Sequence, residues 1–309
     1  MLSSSFQPED HLSLPDQPGV YKYYNSEQEL IYVGKAKSLK KRVSSYFNKN
    51  SGINLKTRRM VKEIAKIEIT LVNSELDALL LENNLIKQLN GLGYASVNIK
   101  DSEGLLSNLK AQLELFNATT FTAKEFDAIV NHLAKGNEFI KAKTLRDRFA
   151  LVKEDGTAFY VRFFNNEDWS QNSYQVTNQV QQQGSFLNRY DVTLLVNGFP
   201  LVQIELKRAG IEIKEAFNQI NRYQHHSFWS SNGLFQYVQL FVISNGVNTK
   251  YLANNKLQSV KQTFFWADEN NKNVTDLTQF AAAFLNTDHL GKYISDYVVM
   301  NETFKNMMV

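Results

Sequence analysis

The chain of 309 residues contains no cysteine, only 4 prolines and 14 glycines, and no long uninterrupted apolar segment. The lack of cysteine excludes disulfide bonds and thiolate zinc sites, and it favours a reducing cytoplasm as the location. No apolar run approaches the roughly 18–20 residues that a membrane-spanning helix requires. The N-terminal residues are polar and carry no signal segment. We also find no Gly-x-x-x-x-Gly-Lys-Ser/Thr loop, so the sequence offers no basis for ATP binding.

The composition is that of a folded protein with apolar cores, because 43% of the residues are hydrophobic and 21% are charged. The length exceeds a typical domain of roughly 100–200 residues, which predicts two domains. The net charge is only +3, but residues 35–62 hold ten Lys or Arg and no Asp or Glu. Such a block, interleaved with Tyr46 and Phe47, suits a polyanion such as DNA. A solvated helix face would have the same composition.

Hydrophobic periodicity predicts an α/β (α+β) chain. In the first part we predict a hairpin over 19–34, helices over 36–47, 56–66 and 75–89, and a strand over 67–73. In the second part we predict helices over 108–117, 122–136 and 212–226, and strands over 158–164, 174–182, 190–196, 201–207 and 236–243.

Three charged residues on two neighbouring predicted strands make the strongest candidate site. Asp191 lies on one strand, and Glu205 and Lys207 lie on the next, where a spacing of two points them to the same face. Burying charges in such an apolar strand is costly unless a bound cation compensates. Two carboxylates can hold Mg²⁺, and an amine can orient water or stabilise phosphate charge, as metal-dependent phosphodiester cleavage requires. The alternative is a structural ion pair on the sheet.

The hairpin between these strands decides whether the two acids can meet. Asp191 faces Glu205 only if the numbers of paired residues sum to 396. That sum requires a hairpin loop with an odd number of residues, such as the three residues 197–199, often accompanied by a bulge. An even loop would put Asp191 on the opposite face. Gln219 and Tyr223 are four residues apart on a predicted helix, so one helix face presents both to DNA phosphates or to the attacking water.

Residues from about 85 to 309 resemble the N-terminal part of the type I restriction enzyme R subunit, a motor and nuclease subunit. The resemblance rests on LIKQLNGLGYASV, NRYDVTLLVNGFPLVQIELKRAGIEIKEAFNQINRYQ and LFQYVQLFVISNGVNTKYLANN, in that order. It implies a PD-(D/E)xK restriction-endonuclease-like fold, a mixed sheet flanked by helices. By it, Asp191, Glu205 and Lys207 match the catalytic motif, and Gln219 and Tyr223 match the family's Gln-x-x-x-Tyr element. It also implies Mg²⁺, DNA, and methylation and specificity subunits as partners, while ATP belongs to a translocase that follows in the full-length subunit.

A second constellation is made of phenols and cations near the N-terminus. A hairpin that turns at Ser26–Glu27 pairs residues summing to 53, which puts Tyr21 opposite Tyr32. Groups that could grip a phosphate while a phenol moves a water proton follow directly, at Lys35, Arg42 and Tyr46. The residues alone favour the alternative that these rings merely stabilise the hairpin, since aromatic cross-strand pairs are common.

Residues 14–88 resemble the GIY-YIG nuclease domain of the C protein of the excinuclease ABC repair system. The matching text is LPDQPGVYKYYN, LIYVGKAKSLKKRVSSYF, KTRRMVKEIAKIEIT and ELDALLLENNLIK, with the name-giving motifs at Gly19-Val20-Tyr21 and Tyr32-Val33-Gly34. The resemblance implies a small three-stranded sheet with helices and a catalytic phenol at Tyr32. The implied supporting residues are Tyr21, Lys35, Arg42 and Tyr46, and the implied ligand of a single metal ion is Glu82.

The second resemblance breaks off after the Glu82 helix. The family there has a Pro-x-Tyr-Asn segment, but Tyr94 stands where its Asn is expected, so the unit is expected to be incomplete. We predict domains at 1–88 and 89–309, with helix 75–89 shared at the junction. Both families carry a Glu on this helix, so one of the two sites is expected to lose Glu82, and the chain is interpreted as a fusion.

Two hypotheses of different classes follow. The first is a Mg²⁺-dependent endonuclease, a restriction R-subunit fragment in which Asp191 and Glu205 hold the metal and Lys207 assists the water. The second is an inactive DNA- or partner-binding module. A GIY-YIG incision nuclease of the excision-repair type is the further alternative, since its motifs are present.

Overall fold

A computed structural model of the chain describes residues 3–47, 55–71, 74–184, 187–226, 228, 231–255, 259–303 and 306–308. The backbone divides into two compact units, Met1–Asp77 and Ala78–Val309, and each has its own apolar core. The predicted domain boundary at 88–89 and the predicted sharing of helix 75–89 stay predictions. No helix in the described part of the chain combines the length and the apolar character needed to cross a membrane.

The first unit contains a four-stranded antiparallel sheet. Its elements are β1 (Ser3–Phe6), a 3-10 helix (Pro8–Leu12), β2 (Gly19–Tyr24), β3 (Leu30–Ala36), α1 (Leu39–Phe47), α2 (Leu55–Glu63) and β4 (Lys66–Leu71). The strand order is β1-β4-β2-β3. Helix α1 buries Leu39 and Val43 in the core of this unit and packs against β2 and β3. The polar strand β1 has no apolar alternation, and the sequence pattern missed it.

The turn of the β2–β3 hairpin is longer than predicted. The loop Asn25–Glu29 is closed by a backbone hydrogen bond of 3.0 Å between its two ends, and the Asn25 side chain accepts from two N–H groups of the same loop. Tyr23 therefore pairs with Tyr32 and Tyr21 pairs with Gly34, so the predicted pairing of Tyr21 with Tyr32 was wrong by two residues. A shift of two preserves the face, and Tyr21 and Tyr32 still lie on one side of the sheet.

The second unit is larger. It begins within α3 (Ser74–Gly91) and continues with β5 (Ala95–Ser96), α4 (Ser102–Phe116), α5 (Ala123–Leu133), α6 (Glu138–Arg146), β6 (Arg148–Val152), β7 (Ala158–Arg162), β8 (Tyr174–Gln183), β9 (Leu187–Val196), β10 (Phe199–Leu206), α7 (Ile213–His226), β11 (Leu240–Ser244), β12 (Thr249–Ala253), β13 (Trp266–Ala267), β14 (Asn273–Val274), α8 (Leu277–Phe284), α9 (Thr287–Lys292), β15 (Val299–Asn301) and β16 (Asn306–Met308).

A six-stranded mixed sheet of order β12-β11-β10-β9-β8-β5 forms the centre of this unit. Strands β10 and β11 run parallel, and α7 lies between them in the chain and packs against both. Every residue of β10 is buried, because a strand in this central position is covered on both faces and needs an almost continuous apolar sequence. The polar residues Gln203 and Glu205 interrupt that sequence and mark the face that carries the candidate site.

The turn of the β9–β10 hairpin decides the register. Asn197 and Gly198 both have positive φ, 49° and 84°, as a two-residue type I′ turn requires, so the predicted three-residue loop at 197–199 was wrong. A bulge between Pro200 and Val202 then adds one residue, and beyond it paired numbers sum to 396, as in Ile204 with Val192. The predicted register is therefore confirmed on the far side of the bulge, where the acids lie.

The other predicted elements agree with the structure in type, with ends that differ by a few residues. The strand predicted at 236–243 is shorter, because Ser231–Tyr237 forms a 3-10 helix before β11. Residues 72 and 73 of the strand predicted at 67–73 lie outside the described part of the chain. The elements of the second unit that the sequence pattern missed are helices α6, α8 and α9 and strands β5, β6 and β12 to β16.

Candidate active sites

The carboxyl groups of Asp191 and Glu205 lie together on one face of the mixed sheet. In the register that pairs Ile204 with Val192, the next two residues opposite each other are Glu205 and Asp191. The Asp191 charge raises the pKa of Glu205, as expected of two neighbouring carboxyl groups, and Asp191 Oδ2 accepts a hydrogen bond of 2.8 Å from the Leu206 N–H. The structure thus brings the two predicted acids together.

Polar neighbours on the same face hold the Glu205 side chain. The Gln203 amide donates to Glu205 Oε1 at 3.1 Å, and Thr193 donates to the Gln203 side-chain oxygen at 2.7 Å. Glu205, Gln203 and Thr193 are all fully buried. These bonds satisfy polar atoms that would otherwise destabilise the sheet, and they fix the carboxyl group in one orientation.

A chain of hydrogen bonds joins Lys207 to Glu205 through helix α7. Lys207 Nζ donates to the Gln219 side-chain oxygen, and the Gln219 amide donates to the Tyr223 hydroxyl. That hydroxyl donates to the Arg189 carbonyl at 2.9 Å and lies 3.4 Å from Glu205 Oε2. Gln219 and Tyr223 therefore orient Lys207 and Glu205 in this structure, while contact of either residue with DNA stays a prediction.

Burial dominates the electrostatics of the acid pair. It raises the pKa of Asp191 and, together with the neighbouring Asp191 charge, raises the pKa of Glu205 well above its usual range. The Leu206 N–H and the Lys207 charge act in the opposite direction on the pKa of Asp191. Two carboxyls this close repel each other when both are ionised, and a bound cation would offset that repulsion.

The donor set fits a hard divalent cation. Within the described residues, no group of three or more His, Cys, Asp or Glu side chains has the arrangement of a metal site. Mg²⁺, however, commonly binds one or two protein carboxylates and keeps several waters. Asp191 and Glu205 supply two such carboxylates, and a cation would offset the burial that raises the pKa of both and the Asp191 charge that raises the pKa of Glu205 further.

Glu82 of α3 adds a third carboxyl group on this side of the second unit. Its side chain is 5% exposed and accepts a hydrogen bond from the Gln179 amide. Burial raises the pKa of Glu82, the Gln179 bond lowers it, and the Asp191 charge raises it again. Its predicted role as the metal ligand of a GIY-YIG-type site stays a prediction.

The first unit carries a group of four tyrosines on one sheet face and on α1, which we call the phenol cluster: Tyr21, Tyr23, Tyr32 and Tyr46. The Tyr21 and Tyr46 hydroxyl oxygens are 3.1 Å apart, and Tyr46 donates to Tyr32 at 3.4 Å. The Arg42 guanidinium lies 5.1 Å from the centre of the Tyr46 ring. Four of the predicted residues therefore meet, and Tyr23 joins them as a member that the sequence did not single out.

The surroundings shift the pKa values of Tyr32, Tyr46 and Tyr23 in different directions. The hydrogen bond from Tyr46 lowers the pKa of Tyr32, and the Arg42 charge lowers it further. Burial raises the pKa of Tyr46 and of Tyr23. Of these three, Tyr32 is the phenol best suited to act as a proton acceptor.

Steric contacts explain the glycines of the two name-giving motifs. A Cβ atom on Gly34 would overlap the Tyr21 ring. A Cβ atom on Gly19 would lie 2.6 Å from a Leu39 methyl and 2.7 Å from the Thr70 carbonyl oxygen. Gly34 therefore has to be glycine for the Tyr21 ring to pack as it does, and Gly19 has to be glycine for Leu39 and strand β4 to approach β2 so closely.

Two residues of the predicted GIY-YIG-type unit have other surroundings. Lys35 pairs with Val20 in the ladder and is exposed, and strand alternation places it on the face opposite Tyr32, so its part in the site stays a prediction. Tyr94 is buried in the core of the second unit and donates to the Leu285 carbonyl at 2.8 Å. That packing explains why a tyrosine occupies the position at which the repair family has Asn.

The family model for the N terminus of type I restriction enzyme R proteins matches residues 76–260. The chain belongs to this family. It is 38% identical over 232 residues to the type I restriction enzyme EcoprrI endonuclease subunit of Escherichia coli, a match that covers 72% of this chain and 74% of that protein. It is 41% identical over 234 residues to a type I restriction enzyme endonuclease subunit of Staphylococcus aureus (strain COL), covering 74% of this chain. The match spans only 25% of the staphylococcal protein.

A second family model, the UvrC-like GIY-YIG domain, matches residues 17–91. Over 75 residues the chain is 63% identical to the UvrABC system protein C of Cytophaga hutchinsonii, 24% of this chain and 13% of that protein. The solved GIY-YIG domain of UvrC from Thermotoga maritima is 39% identical and covers 26% of this chain and 84% of that chain, but at a TM-score of 0.19 it says nothing about the fold. The two family models overlap at residues 76–91, within helix α3.

Sequence reasoning missed several polar residues around the acid pair in the R-protein part of the chain. Thr193 and Gln203 stand two residues from Asp191 and Glu205 in otherwise apolar strands, and this alternation was a usable signal. Arg189 precedes Asp191 by two residues, and its charge lowers the pKa of Asp191. Gln179 had no such signal, because only its backbone conformation sets it apart.

Proposed function

We propose that the chain is a Mg²⁺-dependent DNA endonuclease, the nuclease region of a type I restriction R protein, which cuts at the Asp191–Glu205 pair. The observation that carries the proposal is the convergence of two carboxyls on one sheet face, Glu205 fully buried and Asp191 partly buried, with Lys207 two residues after Glu205. The relatives described as endonuclease subunits support it.

Each residue of the site has a separate role in the proposed hydrolysis. A bound Mg²⁺ would polarise the scissile phosphate and its attacking water. Asp191 and Glu205 hold the cation, and Gln203 and Tyr223 keep the Glu205 carboxyl in place. Lys207, aligned by its bond to Gln219, orients the water and stabilises negative charge on the phosphate oxygens.

Several features belong to the same proposal. We assign the mixed sheet with its flanking helices to the PD-(D/E)xK type, supported by the acid, acid and lysine on adjacent strands. We expect the complete protein to work with methylation and specificity subunits and to draw ATP-driven movement from a motor region. A cytoplasmic location stays a prediction.

A plasmid-nicking assay with Mg²⁺ tests the proposal. Asp191→Asn keeps the shape of the side chain but removes one charge from the pair, so we expect cleavage to fall by about 10³-fold or more. Asp168→Asn is the matched control, because Asp168 lies on the surface of the same unit and caps a short helix; it should cut like the wild type. Equal cleavage by Asp191→Asn and the wild type contradicts the proposal.

A second function, incision by the first unit, is favoured by the geometry of the phenol cluster, in which Tyr46 donates to Tyr32 at 3.4 Å and Arg42 lies 5.1 Å from the Tyr46 ring centre. In that case Tyr32, as its phenolate, accepts the proton of the attacking water and becomes a neutral phenol, while Arg42 holds the phosphate and Tyr21 and Tyr46 align Tyr32. Loss of cleavage in Tyr32→Phe, with full cleavage in Asp191→Asn, would assign the activity to this unit. Binding of DNA without cleavage by the wild type would leave a binding module.

A further inference from the structure

Gln179 adopts a backbone conformation that its residue type disfavours. Its φ is +58°, although it lies inside strand β8 rather than in a turn. The other described non-glycine residues with positive φ, which lie in turns and loops, are Gln28, Ala118, Asn197 and Asn271. Holding an L side chain in this region costs about 1–3 kcal/mol, and such strain persists only where surrounding structure enforces it.

The strain lies directly beside the acid pair. In the β8–β9 ladder, Asn178 pairs with Val192 and Val180 pairs with Tyr190, and Gln179 is left out opposite Asp191. The regular ladder resumes on both sides. The distortion is therefore confined to Gln179, at the position opposite Asp191.

The Gln179 side chain makes one specific contact. Its amide donates to Oε2 of Glu82, on helix α3 of the same unit. Glu82 is buried apart from 5% of its surface, and a carboxylate in such a place is held by the groups that hydrogen-bond to it.

We infer that Gln179 is a positioning residue that holds the Glu82 carboxylate beside Asp191 and Glu205, so that three negative charges rather than two attract the cation. The inference rests on the proposed function. Glu82 acts at longer range than the pair, as a neighbour that strengthens cation binding, and groups of this kind typically change metal affinity by about 10–100-fold.

Replacement of Gln179 by glycine removes both the backbone strain and the side-chain contact, and the two losses affect different measurements. Gln179→Gly relieves the backbone and removes the amide, so we expect an unchanged or higher Tm in EDTA together with about tenfold weaker Mg²⁺ binding. Gln181→Gly is the matched control, since Gln181 lies two residues further along β8, has an exposed side chain and pairs regularly with Arg189. It should lower the Tm, because glycine weakens a regular strand, and leave Mg²⁺ binding unchanged.

Two readouts are taken for each variant: the rise in Tm on adding Mg²⁺, and the Mg²⁺ concentration that gives half-maximal plasmid cleavage. Adding Glu82→Gln to Gln179→Gly should produce little further loss, because both changes remove the same interaction. Full additivity, or a Gln179→Gly variant with wild-type response to Mg²⁺, overturns the inference. A wild type that binds Mg²⁺ but cuts no DNA would contradict only the proposed function. The rise in Tm on adding Mg²⁺ would still test the role of Gln179.

Discussion

The two units gather their reactive groups in opposite ways. The first unit clusters neutral phenols around one guanidinium, and the hydroxyls bond mainly to one another. The second unit forces two acids together in a buried sheet and raises the pKa of both. Phenols can be packed without a counter-ion, so their site depends on shape. Buried carboxylates store repulsion that a cation relieves, so their site depends on charge.

The largest effect that tests this contrast is a steric one in the first unit. Gly34→Ala places a methyl group against the fully buried Tyr21 ring. We expect the first unit to lose about 3 kcal/mol of stability, because neither the methyl group nor the ring can move far. Hydrogen exchange read separately for the two units measures it, since protection reports local opening.

A glycine in open space provides the control for that change. A Cβ atom added to Gly91, near the end of α3, would meet no other atom within 4 Å, so Gly91→Ala should leave protection within about 1 kcal/mol of the wild type. If Gly34→Ala is equally harmless, the phenol cluster does not depend on close packing and the contrast fails.

The next effect concerns charge in the second unit. The pKa of Glu205 is raised above its usual value of 4.5 by burial and by Asp191, so the unfolded chain ionises this group at a lower pH than the folded chain does. Below pH 4.5 both states are protonated and nothing is lost. Above it, the wild type should lose up to about 1.4 kcal/mol per pH unit relative to Glu205→Gln, until the folded carboxyl itself ionises.

Denaturant unfolding in EDTA between about pH 4 and pH 8 measures this difference. Adding Mg²⁺ at the alkaline end of that range should stabilise the wild type and leave Glu205→Gln nearly unchanged, because the variant lacks one anionic ligand. Parallel pH profiles for the two proteins would show that the acid pair stores no repulsion.

The smallest effect returns to the phenol cluster. The Tyr23 hydroxyl is buried and has no hydrogen-bond partner among the described residues, so Tyr23→Phe should be neutral or stabilise the unit by about 1 kcal/mol. Tyr21→Phe removes a hydroxyl that is bonded to Tyr46 and should destabilise it. Thermal unfolding of both variants measures the two effects, and a larger loss of Tm in Tyr23→Phe than in Tyr21→Phe would contradict an unsatisfied Tyr23 hydroxyl.

Much of the candidate site in the second unit could be predicted because strand geometry leaves few choices. The spacing of Glu205 and Lys207 fixed their common face, and the parity of the hairpin fixed the side on which Asp191 lies. The turn itself was misjudged: the extra residue is a bulge at Pro200–Val202, after a two-residue turn. The predicted register beyond the turn was nevertheless correct, because a bulge and a three-residue loop each add one residue to the hairpin.

Other features depend on contacts that local pattern does not contain. The β2–β3 register differed because the Asn25 side chain closes a longer loop, and only an even shift preserved the shared face. Gln179 resembles its glutamine neighbours in sequence, and its conformation is set by Glu82, 97 residues away. Strand β1 has a polar sequence and exists through its pairing with β4.

The bulge at Pro200–Val202 makes the chemistry sensitive to the length of the hairpin. Removing one residue there would leave a well-formed turn and an apolar sheet, yet it would rotate Asp191 to the far side and leave Glu205 alone. A single-codon deletion could therefore silence cutting while the protein still folds.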